Sequence, residues 1–133
     1  MTLSLSKIFL LTLLCQNEVR FFDEKPNANG HYAFGYGGQP HDDISLPNPK
    51  FFEDLDKRIK SSPGLRLELT ESPMLTRNGP EKARDFGRYL GRRFVRRKNF
   101  VYVAPAHSSE AMKALIQGIR DYDTLHWMQQ MKQ

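Results

Sequence analysis

Cysteine is nearly missing from this chain: Cys15 is the only one in 133 residues. A lone thiol excludes an intramolecular disulfide framework and any zinc site built from several cysteines. It favours a reducing setting, so a cytoplasmic location is expected ahead of secretion. Long hydrophobic runs are missing too. The longest, Ile8 to Leu14, is interrupted only by Thr12. It is far too short to cross a bilayer, so no membrane span is expected. It sits at the lower limit of a secretory core segment, and no small-x-small cleavage site follows it. Internal repeats and low-complexity tracts are also lacking.

What is present suits one small domain. Hydrophobic residues make up 39% and charged residues 26%, enough apolar content for a core and too little charge for wholesale disorder. The net charge of +5 and pI near 9.5 permit acidic partners without requiring them.

Ile8 to Leu14 reads as a strand buried on both faces, as in parallel sheets. Asp23 to Pro49 is rich in glycine, proline, asparagine and aspartate, which is loop chemistry. Its aromatics, Tyr32, Phe34 and Tyr36, imply that the loop packs on something. Phe51, Phe52, Leu55 and Ile59 share one face of a short helix, with Asn48 as its cap and Pro49 in the first turn. Leu65 to Leu69 alternates with period two, the pattern of a half-exposed strand. Pro80 to Arg97 is the clearest helix, with Ala83, Phe86, Gly87, Leu90 and Phe94 as its apolar stripe. Phe100 to Ala104 reads as a second buried strand. A helix capped by Ser108 or Ser109 then runs to about Arg120, and 121–133 forms a mostly polar tail. This order is that of an α/β fold with a parallel sheet.

Several residues invite a functional reading. Arg84, Arg88, Arg92 and Arg96 recur every four positions, and Arg93, Arg97 and Lys98 widen the patch. Such a stripe is a candidate surface for nucleic acid or another polyanion. Its bland counterpart is a solvated helix face whose cations suit the helix dipole. His107, just past the second buried strand, is a candidate anion ligand or simply a turn histidine. His31 and His41 do not have the spacing of a zinc motif. Gly35-Tyr36-Gly37-Gly38 lacks the lysine and helix that would make it a phosphate loop. No metal site and no cofactor are expected.

The stretch Leu75-Thr76 through Gly79, Lys82, Ala83, Gly87 and Leu90, followed by Val101-Tyr102-Val103-Ala104-Pro105, resembles the L-T-x-x-G-x-x-[QK]-A and V-Y-x-S-P segments of the histidine phosphatase (phosphoglycerate mutase-like) superfamily. The loop with Ser45-Leu46-Pro47 is similar to the suppressor-of-T-cell-receptor-signalling branch. The resemblance covers roughly Ile8 to Arg120. It implies a phosphoglycerate mutase-like α/β sheet with flanking helices over 1–133, incomplete at its C-terminal side, with the loop region at about 20–75.

That family uses a histidine nucleophile in an R-H-G motif and arginines that neutralise the phosphate. The matching positions here are Cys15, Gln16 and Asn17, and the arginine after the S-P turn is replaced by Ser108. The resemblance therefore implies a catalytically inactive, phosphatase-like protein: a binding or regulatory module, or a relic. A protein partner, a phosphorylated ligand, or a second copy completing the sheet would be its partners. The alternatives are a polyanion-binding module using the arginine-rich helix at 84–98, and a weak phosphomonoesterase using His107.

Overall fold

The computed structural model describes residues 17–127. The run Ile8–Leu14, with Cys15, Gln16 and the end of the tail at 128–133, lies outside the described residues. Strand β1 (Glu18–Arg20) leads through a long loop to helix α1 (Pro49–Ser61). Strand β2 (Leu65–Glu68), helix α2 (Pro73–Phe94), strand β3 (Phe100–Val103) and helix α3 (Glu110–Arg120) follow. The three strands form one parallel sheet in the order β1-β2-β3. Val19 pairs with Leu67, and Leu67 with Tyr102.

The helices form where the sequence supplies caps and apolar faces. Asn48 accepts a hydrogen bond from the Lys50 N–H at 3.2 Å, and Pro49 occupies the first turn. Ser109 caps α3 in the same way, accepting from Met112 N–H at 3.2 Å. Helix α2 begins earlier than its apolar stripe suggests, because Ser72 caps a leading turn at Pro73. It breaks at Gly79, whose φ of 85° and ψ of 171° are open almost only to glycine. Pro80 then restarts the helix where its missing N–H costs nothing.

One face of the sheet carries Val19, Leu65, Leu67, Phe100 and Tyr102, all buried, with Phe21 and Leu69 just beyond the strand ends. Helices α1 and α2 cover this face together. Phe21 stacks on Phe52 of α1 with ring centres 5.9 Å apart and meets Phe86 of α2 edge-on at 5.6 Å. Phe94 of α2 meets Phe100 of β3 at 6.1 Å. Helix α3 packs on α2 through Ala111, Met112, Leu115 and Ile119.

The opposite face presents Glu18, Arg20, Arg66, Glu68, Val101 and Val103, each half-buried or exposed. Arg66 bonds Glu18 across the strands and also lies 3.7 Å from Glu68. The expectation that Phe100 to Ala104 is buried on both sides is thereby corrected: it alternates, because no helix among the described residues covers the second face. Helix α1 and strand β2 fall within the region 20–75, where the spacing of Phe51, Phe52, Leu55 and Ile59 and the alternation of Leu65 to Leu69 place a helix and a strand.

A seam of small residues joins α2 to α3. A Cβ on Gly87 would fall 2.2 Å from the Leu115 carbonyl oxygen, and one on Gly118 would fall 2.2 Å from that of Arg84. The helices therefore touch backbone to backbone. The segment after α3 closes the outer edge of β3. Tyr102 N–H donates to the His126 carbonyl at 2.7 Å, and Trp127 lies against Tyr102. No helix among the described residues is long and apolar enough to cross a membrane.

Candidate functional site

In a parallel α/β sheet the loops leaving the carboxyl ends of the strands gather at one edge, and ligands bind there. Here that edge carries three loops. Two are short: Glu71, after β2, accepts bonds from both the N–H and the hydroxyl of Ser109, after β3, at 2.8 and 2.9 Å. The third, between β1 and α1, is long and holds the larger of two hollows.

That loop is an ordered structure. Phe34 pairs with Pro47 in an antiparallel bridge, and Gly35 N–H donates to the Leu46 carbonyl at 2.8 Å. Between them the chain reverses at Tyr36-Gly37-Gly38-Gln39, where Gly37 and Gly38 have φ of 57° and 88° and Gln39 N–H donates back to Tyr36. Positive φ at both central positions is the geometry of a tight hairpin turn, which glycine adopts without steric cost. Two asparagines hold the loop down. The Asn48 side chain caps α1 and also donates to the Tyr32 carbonyl at 2.9 Å. Asn78 of α2 accepts from Ile44 N–H and donates to the Asp42 carbonyl. Phe34 is buried against Phe86 at 4.8 Å, anchoring the hairpin in the core.

The hollow has a volume of about 700 Å³. Gly30, the turn glycines, Gln39 and Glu53 line it, with Tyr36 at its rim, 51% exposed. Tyr32 and His41 form a stacked pair on its wall, ring centres 4.1 Å apart. His31 faces the hollow and is oriented from behind. Its Nδ1 lies 2.8 Å from Asp54 of α1, and its backbone N–H donates to the Asn27 side chain. Asp54 also accepts from Asn27 Nδ2 at 2.9 Å. Burial pushes the Asp54 carboxyl up, but the hydrogen bonds from His31 and Asn27 outweigh it and hold the group below its ordinary value. A smaller hollow of about 240 Å³ lies on the far side of Asp54, between α1 and β1.

The residues singled out from sequence are not brought together. Cys15 and Gln16 lie outside the described residues. Asn17 precedes β1, where its carbonyl accepts from Arg66 N–H. It therefore stands at the amino edge of the sheet, whereas His107 and Ser108 follow β3 at the carboxyl edge. Asn17 and Ser108, the described members of the degenerate motif positions, thus lie at opposite edges of the sheet.

The arginine stripe is largely engaged within the fold. Arg84 and Arg88 both reach Asp121, at 3.3 and 2.9 Å. The Arg88 hydrogen bond, then that of Gln117, holds the Asp121 carboxyl low. Arg92 lies over the Tyr122 ring, and Arg93 pairs with Asp56 at 2.8 Å. Arg96 is exposed. Among the described residues no group of three or more His, Cys, Asp or Glu side chains is arranged to hold a metal.

Sequence reasoning passed over the His31–Asp54 pair. His31 and His41 were set only against the spacing of a zinc motif, and a contact spanning 23 positions between loop and helix leaves no spacing signal. The loop's wealth of aromatics and glycines was the available sign.

No protein-family profile and no curated protein matches this chain. Among solved structures it is similar to a glycoside hydrolase family 5 protein of Bacteroides vulgatus, with 21% identity and a TM-score of 0.59. The likeness covers 93% of this chain and 31% of that one, so the chain spans about a third of that protein's length. At this identity the likeness speaks to the fold alone.

Proposed function

We propose that this chain is a non-catalytic ligand-binding domain whose site is the hollow in the β1–α1 loop. One observation carries the reading: the loop is fixed by Asn48, Asn78 and Phe34, yet it holds open a space of about 700 Å³ at the carboxyl edge. A space of that size falls in the range of about 300–1,000 Å³ typical of small-molecule sites. Its position also fits the winding. Consecutive parallel strands with α1 and α2 on one face resemble an arc of a β/α barrel, in which βα loops build the site. The likeness to a glycoside hydrolase supports this arrangement.

The same lining argues for binding over catalysis. Glu53 is the sole carboxylate among the lining residues, and glycoside hydrolysis uses a pair. Lys50 is the sole lysine or arginine there, whereas phosphoryl transfer to a histidine relies on several cations. A second reading, the inactive phosphatase-like domain, rests on the order of the L-T-x-x-G and V-Y-x-x-P segments and shares the expectation of no turnover.

The test is hydrolysis by the purified full chain, with para-nitrophenyl phosphate and para-nitrophenyl glycosides as substrates, beside His31→Ala. No turnover by either protein is expected. Turnover by the natural chain that His31→Ala abolishes would make the His31–Asp54 pair catalytic and overturn the reading.

A further inference from the structure

Resting on the reading of this hollow as a ligand site, we infer that its ligand is a neutral saccharide, seated with one sugar face on the Tyr36 ring. The chemistry of the lining selects this class. A pyranose has apolar C–H faces and a rim of hydroxyls. It therefore needs an open aromatic face together with polar groups that both donate and accept. Tyr36 supplies the face: it is 51% exposed, and the two glycines that follow it place no side chain beside the ring. The electron-rich face of an aromatic ring attracts the slightly positive C–H edges. A β-turn bond between Tyr36 and Gln39 fixes the backbone that carries the ring, which reduces the ordering cost of binding.

The polar groups match a hydroxyl rim. The Gln39 amide both donates and accepts, Glu53 accepts, and Lys50 donates. His31, held through Nδ1 by Asp54, also lines the hollow. The charges of Lys50 and Glu53 cancel, so the hollow holds no surplus of either sign to favour a charged ligand over a neutral one.

The experiment is amide shift mapping by NMR on the full chain, natural and Tyr36→Ala. The probes are cellotriose, mannotriose and xylotriose, with trigalacturonic acid and inorganic phosphate as charged controls. At least one neutral trisaccharide should shift amides within 30–53, with affinity at least about tenfold weaker in Tyr36→Ala and restored in Tyr36→Trp. A tenfold loss corresponds to about 1.4 kcal/mol. Shifts in 30–53 with the charged probes alone would overturn the saccharide assignment and leave the hollow a ligand site. Neutral-sugar binding equal in Tyr36→Ala would also overturn it. No shift in this loop with any probe would sink the site and the assignment together.

Discussion

At the seam between α2 and α3, Gly87 and Gly118 are glycine because a backbone carbonyl lies 2.2 Å from where each Cβ would stand. In the β1–α1 loop, Gly37 and Gly38 have nothing within 4 Å, and a positive φ is what requires glycine there. The same residue closes one region and opens the other. The arginines sharpen the contrast. Beside the seam, Arg84 and Arg88 are drawn onto Asp121, tying α2 to the end of α3. Around the loop hollow, Tyr36 and Gln39 sit on a fixed turn and stay exposed. One region holds the fold together, and the other presents chemistry on it.

Mutations should separate the two. Phe52→Ala is expected to have the largest effect, because the fully buried ring touches Phe21, Phe86 and Phe94 beneath both regions. Chemical denaturation should register a loss of about 3–5 kcal/mol. Gly87→Ala at the seam should come next, at about 3 kcal/mol, since the neighbour it meets is backbone and cannot turn aside. A loss below about 1 kcal/mol would mean that the helices can part and that the seam is looser than described.

Asp54→Asn tests the support behind His31. The Asp54 carboxyl is held below its ordinary 3.8, so the folded state binds its proton less readily than the unfolded chain. That contribution is present in full above about pH 4 and is lost as the pH falls through the lowered value. Acid titration of stability should therefore be shallower in Asp54→Asn below about pH 4, and the variant should be weaker at pH 7 by about 1–2 kcal/mol. Gly37→Ala should cost least, about 1 kcal/mol, the strain of a left-handed residue with open space around it. Equal losses for Gly37→Ala and Gly87→Ala, measured side by side, would erase the distinction between the two regions.

Much of the fold was legible in the sequence where caps and apolar spacing agree. Asn48 with Pro49, and Ser109 before Ala111, Leu115 and Ile119, fix their helices locally. Leu65 and Leu67 alternate with polar neighbours and mark β2. Strand β1 was not legible: Glu18 and Arg20 flank Val19 alone, and the strand exists because it can pair with β2. The early start of α2 was hidden because Gly79 and Pro80 look like a helix beginning, when they are a break within a longer one. The candidate site was the least legible part. Its residues come from the hairpin and from α1, and what joins them is tertiary: Asp54 to His31, Asn48 to Tyr32, and Asn78 to Asp42. The arginine stripe was plain in the sequence, but its pairing with Asp121 depends on how α3 packs.

The most direct test of the central claim is hydrogen exchange of the full chain followed by mass spectrometry, with and without a saturating neutral trisaccharide. Peptides spanning 30–53 should gain protection, while 84–96 and 104–109 should not change. Protection confined to 104–109 or to the arginine-bearing face at 84–96, with 30–53 unaffected, would contradict the account and move the binding surface to His107 and Ser108 or to the basic helix.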